Sequence, residues 1–270
     1  MTTLNIMSYY LANNLINHII RNTSYTPSSS IYAALYISDP TKLDTGTEVS
    51  GGGYSRIQCP AFTIGGGTAT SGGINFGPAT SYWGTVNYIG IKDDGGHLLF
   101  YGALTYPLVV DISNNVKIDS NLKISLRGDT FLGWGAAIAD DVLNFVLNGY
   151  SYPTPGTSIY LALGRSLITT ATYNFSSWLE IPQAAGYSRK LIGNDWNYIS
   201  EGTVFNLNNI VFTENATVNW GNIANCALFN SSSAGEPVFW GTIGTPRNIL
   251  TGDGLIFPSN SIRVSIDAQV

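Results

Sequence analysis

Hydrophobic positions change their period along this chain. Leu11, Leu15, Ile16, Ile19 and Ile20 recur at helical spacing, with Asn22 as a stop. Ile138, Val142, Phe145 and Val146 repeat the pattern, and Gly149 follows. After each predicted helix the period shortens. IYAALYIS at 31–38 is almost wholly apolar, as expected of a strand covered on both faces, whereas KIDSNLKISL at 117–126 alternates apolar and polar, predicting a strand with one wet face. Asp94-Gly95-Gly96 lies between two strand-like runs and predicts a hairpin turn. Trp83, Trp220, Phe100, Tyr101, Phe239 and Trp240 fall inside such runs and read as core. Tyr101 and Trp240 alternate with Phe100 and Phe239, which leaves one member of each pair free to face outward.

The pattern occurs twice. IYAALY at 31–36 returns as IYLALG at 159–164, and GYSR at 53–56 returns at 186–189. Trp83-Gly84 matches Trp220-Gly221, and LFYGAL at 99–104 matches VFWGTI at 238–243, with Pro107 and Pro246 beyond. Ser120-Asn121 matches Ser259-Asn260. The offset grows from 128 at Ile31 to 139 at Ser120, as small loop insertions in the second copy would cause. On this alignment His18 falls opposite Val146. The landmarks keep their order and each copy is domain-sized, so the chain divides into 1–128 and a divergent second copy, 129–270. No Pro/Ser-rich linker separates them, which predicts direct packing. The expected fold is mainly β, of the α+β kind: two tandem β-sandwich modules, each with an N-terminal helix.

Composition narrows the function. Of 270 residues, 12 are Lys or Arg and 17 are Asp or Glu, so the net charge is −5 and the surface must be built largely from Ser, Thr, Asn, Gly and Tyr. Nothing in it forms a basic footprint for nucleic acid. The N-terminal segment has neither the basic start nor the small-residue cleavage site of a signal peptide, and it is too polar and too short to span a bilayer. No membrane partner is expected, and synthesis in the host cytoplasm is. Cys59 and Cys226 belong to no ligand motif and read as buried thiols, with a disulfide left open.

Candidate chemistry is sparse. His18 and His97 are the only histidines, and neither has a ligand-spaced neighbour. No nucleophile elbow or phosphate loop is present, and the runs at 51–53 and 65–67 read as glycine loops. Asp39, Asp44 and Glu48 lie close enough in sequence to raise a hard-cation site, but the corresponding stretch of the second copy, 166–180, keeps only Glu180. Glu48 and Glu180 are repeat-related, which argues against their being the paired acids of a glycosidase. Glu48, Tyr54 and Arg56 recur as Glu180, Tyr187 and Arg189. These six are the candidate interface or loop-anchoring residues. Within one copy the arginine would pair with the carboxylate and fix a loop, and at a surface Tyr and Arg would anchor a partner. No catalytic, cofactor-binding or metal-binding residue is assigned.

Residues 5–127 also carry family-like motifs. They are a helix ending NHIIR, the strand IYAALYISDPT, the run DTGTEVSGGGYSR, and WGTVNYIGIKDDGGHLLFYGAL. On these the first copy resembles a widespread family of phage virion proteins, often described as tail fibre proteins. The second copy is similar in outline and lacks the SDPT and GGG features. The resemblance implies a virion component and no catalytic residue. The expectation is therefore a non-enzymatic structural protein of a phage particle. Its partners would be other virion proteins, either the major capsid protein or tail proteins, together with self-association. The favoured placement is a capsid decoration or cement protein on the shell exterior. The alternative is a tail fibre, baseplate or receptor-binding component.

Overall fold

A computed structural model describes residues 3–118, 122–126, 133–134, 136–152, 158–165, 178–183, 186–235 and 237–266. In the first copy the order is β1 (Thr3–Leu4), β2 (Ile6–Met7), α1 (Tyr9–Ile20), β3 (Ile31–Tyr36), β4 (Ile57–Gln58), β5 (Thr63–Gly65), β6 (Thr68–Thr70), β7 (Ile74–Pro78), β8 (Gly84–Asp93), β9 (Leu98–Val110), β10 (Asn115–Ile118) and β11 (Lys123–Ser125). The second runs β12 (Gly133–Trp134), α2 (Ala136–Asn148), β13 (Tyr160–Gly164), β14 (Lys190–Leu191), β15 (Trp196–Ser200), β16 (Thr203–Asn206), β17 (Ile210–Thr213), β18 (Gly221–Phe229), β19 (Pro237–Ile249), β20 (Leu255–Phe257) and β21 (Arg263–Ser265). The chain is mainly β. The boundary at 128/129 and the Ser120-Asn121 landmark lie outside the described residues.

Both copies use the same strand order. The first has a five-stranded sheet β2-β9-β8-β3-β4, and the second has β12-β19-β18-β13-β14. In each, the strand after the helix pairs antiparallel with the first arm of a long hairpin. The hairpin arms also share an irregularity: pairing jumps from Val86↔Leu108 to Tyr88↔Ala103 in one copy and from Ile223↔Arg247 to Asn225↔Thr242 in the other. The prolines that mark the repeat, Pro107 and Pro246, lie in these looped-out stretches, where no ladder donor is needed. A second pair, β7 with β10, recurs as β17 with β20, and β6 with β11 recurs as β16 with β21.

The helices form where the periodicity places them. Ser8 caps α1, its hydroxyl accepting the Leu11 N–H at 3.2 Å and donating to the Leu98 carbonyl. Asn22 and Gly149 both take positive φ after the helices, at 55° and 66°. Neither helix opens its copy, however: β1 and β2 precede α1, and β12 precedes α2. Short entering strands of two residues carry no periodic signal. The alternating run at 117–126 is likewise not one strand. It contributes to β10 and β11, which belong to different sheets.

The predicted two-sided burial of IYAALY holds, with five of its six residues buried. One face joins a core cluster continuous across both copies, from Leu4 and Leu15 to Trp220 and Val264. The other face holds a smaller cluster of Ala34, Tyr36, Leu98 and Tyr101. Phe100 and Tyr101 are therefore both buried and neither faces outward, because the sheet's outer face is also covered. Trp240 is half-buried against the equivalent cluster of Ala162, Trp178, Ala227 and Phe229. Trp83 and Trp220 are buried as expected. Cys59 and Cys226 are free thiols packed against the core, and burial pushes them up to about 12 and about 11.

Each helix also holds a turn of the other copy. Asp140 of α2 accepts the Gly66 and Gly67 N–H groups in the β5–β6 turn of copy one, at 3.1 and 2.6 Å. Asn13 of α1 accepts the Gly202 N–H in the β15–β16 turn of copy two at 2.7 Å. Asn148 clamps Phe62 through both backbone groups at 3.0 Å. Reciprocal contacts of this kind define an approximate twofold relation inside one chain. They also correct the repeat alignment. Asn13 matches Asp140, and the buried positions of α1 match those of α2, when His18 lies opposite Phe145 rather than Val146.

Candidate functional site

The six repeat-related residues form two separate and nearly identical clusters. In copy one Glu48 bridges to Tyr36 beside β3, and in copy two Glu180 bridges to Gly164 beside β13. Arg56 grips Glu48 with Nε on Oε1 and Nη2 on Oε2, both 2.8 Å. Arg189 grips Glu180 in the same way at 2.9 and 2.8 Å. The Tyr54 hydroxyl donates to Glu48 Oε1 at 3.0 Å and accepts the Leu35 N–H at 2.9 Å. Tyr187 repeats both bonds, to Glu180 at 3.0 Å and from Leu163 at 2.8 Å. The rings repeat too. Tyr54 stacks on Phe76 and meets Trp83 edge-on, and Tyr187 stacks on Phe212 and meets Trp220 edge-on.

This geometry ties a loop to a strand in each copy. The tyrosine satisfies a strand N–H that would otherwise be buried unpaired, and the carboxylate is neutralised bidentately. Burial, foremost, pushes both tyrosine hydroxyls far above their ordinary value. The Glu48 hydrogen bond raises Arg56 further. Both oxygens of each carboxylate are occupied, and the two carboxylates belong to different copies.

Around this shared frame the copies diverge. In copy one Lys92, 6 % exposed at its side chain, donates to Asp44 at 2.7 Å and to the Tyr36 hydroxyl at 3.1 Å, and lies 3.9 Å from Glu48. Tyr36 donates to Asp44 at 2.9 Å. Copy two places Phe229 opposite Tyr160, where copy one has Lys92 opposite Tyr32. There Arg189 lies over the Phe229 ring at 3.5 Å and donates to the Ser231 and Ala234 carbonyls. Trp178 donates to Asn225 beside Gly164, whose missing side chain leaves room for the indole. The sequence reading missed this divergence, although a lysine inside the apolar run YIGIKD was a signal for it.

The other sequence candidates are engaged locally. Asp39 accepts the Thr41 N–H at 2.8 Å, while Asp44 and Glu48 turn to Lys92 and Arg56. Among the described residues no three metal-ligating side chains gather. Most of 166–180 lies outside the described residues. His97 closes the predicted hairpin, its Nδ1 2.9 Å from Asp93 and its ring stacked on Tyr10 at 4.0 Å. A cavity of about 420 Å³ in copy two is lined by Trp134, Leu161, Gly241 and Val264 among others. In copy one the place beside Gly102, the counterpart of Gly241, is filled by Thr3 and Leu4. We assign the cavity no ligand.

Fold and clusters define a duplicated, mainly β module whose most elaborate polar groups hold its own loops. The chain belongs to the family described as podophage GP4 fiber I protein gp80, whose model matches residues 6–124 and again 133–265, once per copy. It is thus a phage protein of the fibre kind, a structural component of the virion. No curated protein matches the chain.

Proposed function

We propose that this chain is a non-catalytic component of a phage fibre that works through its surface. The observation that carries the reading is the double match to a fiber protein family, one match for each of two copies sharing one strand order. The repeated Glu–Arg–Tyr clusters support it, because their charges are spent on fixing loops within each copy. We read each copy as a two-layer β-sandwich with its helix at the joint between copies, and the copies as domains meeting near 128/129. The neighbours of such a protein are other virion proteins, and assembly between rigid surfaces needs complementary area rather than chemistry.

Decoration of the capsid exterior is the second reading. The feature favouring it is the packing of both copies on one continuous core, with no extended shaft among the described residues. Immunogold labelling of intact virions, with quantitation of copies per particle, separates the two. Label on the tail at tail-like copy number supports the fibre reading. Label over the head at capsid-like copy number replaces it with decoration. The purified protein is expected to leave host polysaccharide and peptidoglycan intact. Cleavage lost on Glu48→Gln or Glu180→Gln would overturn the non-catalytic reading.

A further inference from the structure

Four rings meet at the joint between the copies, and one of them is an imidazole. His18 lies on the buried face of α1 with 5 % exposure. Its ring stacks on Phe145 of α2, with centroids 4.9 Å apart and planes 17° from parallel, and Tyr152 leans on it at 5.8 Å. Tyr25 meets Phe145 edge-on at 5.9 Å, completing the reciprocal set. His18 and Phe145 are counterparts, as are Tyr25 and Tyr152, so the same position carries an ionisable ring in one copy and an apolar ring in the other.

The hydrogen bond at Nδ1 of His18 suits the neutral ring. Nδ1 accepts the Tyr25 N–H at 3.0 Å, which places the ring proton on Nε2. That Nε2 is buried with no hydrogen-bond partner among the described residues. A second proton would have to go to Nδ1, where it would face an amide donor instead of an acceptor. Burial lowers the His18 pKa below its ordinary 6.5, with the Thr23 carbonyl working in the other direction. The charged groups of the two helices are Arg21, Asp140 and Asp141. Arg21 bonds Asn17 and covers Tyr198, Asp140 holds the β5–β6 turn, and Asp141 is an acidic neighbour of Tyr152. The Phe145 face offers an imidazolium some cation–π attraction, which falls short of a missing anion and a reversed hydrogen bond.

We propose that His18 makes the contact between the two copies acid-labile: protonation of its imidazole weakens the packing of α1 on α2. The neutral ring is favoured in the fold, so the unfolded chain takes up the proton more readily. Stability is then full above pH 6.5 and falls as pH drops through that value, levelling below the folded pKa. The folding equilibrium constant changes by up to about tenfold for each pH unit of that window.

The test follows denaturant unfolding and amide exchange of the full chain from pH 7.5 to pH 5. Gly202 is the reporter of the joint, because its acceptor, Asn13, does not titrate. The wild type should lose stability and Gly202 protection, after correction for intrinsic exchange. His18→Phe, which installs the counterpart residue, should flatten both profiles. Phe145→His should steepen them, and guards against a His18→Phe chain that misfolds. Replacing the only other histidine, His97, with Asn should leave the wild-type profile in place. Parallel profiles for wild type and both position-18/145 variants would overturn the proposal, as would a profile that His97→Asn abolishes.

Discussion

Asp140 receives the Gly67 N–H at 2.6 Å across the join between the two copies, and Asn13 receives the Gly202 N–H at 2.7 Å in the reverse direction. Gly67 and Gly202 both have positive φ, 74° and 71°, so each turn presents its amide the same way. The acceptor is a carboxylate in one copy and an amide in the other, yet the geometry is shared.

Asp140→Ala should destabilise the chain by about 1–3 kcal/mol, because it strips a charged acceptor from two turn amides. Asn13→Ala should cost about 1 kcal/mol, since the lost bond is single and neutral. Asp140→Asn should retain part of the contact and fall between Asp140→Ala and wild type. Urea denaturation of the three variants checks the order.

Tyr54→Phe and Tyr187→Phe should cost similar amounts, about 1–3 kcal/mol each, because each leaves a strand N–H without its acceptor. The two sites are in separate copies, so the double variant should be additive within about 0.5 kcal/mol. A strongly sub-additive double variant would indicate that one copy unfolds before the other.

Glu180→Gln should be more harmful than Glu48→Gln. The Arg189 side chain is 5 % exposed and loses its counter-ion in a dry setting, whereas the Arg56 side chain is 36 % exposed. The expected losses are about 3 kcal/mol for the buried pair and about 1 kcal/mol or less for the solvated one. Thermal unfolding of both single variants at neutral pH decides this.

Gly102→Ala should displace β1. The added methyl would lie 2.7 Å from the Thr3 carbonyl oxygen and 3.3 Å from Leu4 Cα, both backbone atoms that cannot rotate away. A loss of about 1–3 kcal/mol is expected, with exchange protection falling first at Leu4 and its neighbours on β11. Unchanged protection there would count against the packing described.

Some of this architecture was legible along the chain because it depends on local pattern. The helices at 9–20 and 136–148 follow from a 3.6-residue period, and the DGG turn follows from glycine's freedom at positive φ. The Glu–Tyr–Arg trio was legible as a recurring set, since a duplication repeats what both copies need. Its internal pairing was one of two readings, because spacing alone does not say where an arginine reaches. That both Phe100 and Tyr101 are buried was not legible, because strand alternation says which faces differ, not whether something covers the second face. The run at 117–126 was read as one strand because a period of two survives a change of sheet.

What the sequence determined by itself is therefore the repeat, the two helices, the strand-rich remainder and the identity of the recurring polar trio. Each is set by short-range sterics and by the spacing of apolar side chains. Only the tertiary structure decided that each helix holds a turn of the other copy, that His18 faces Phe145 across the joint, and that Lys92 fills in copy one the place Phe229 fills in copy two. Those outcomes depend on contacts between residues far apart along the chain. Several arrangements satisfy the same local periodicity, and burial of the shared core selects among them.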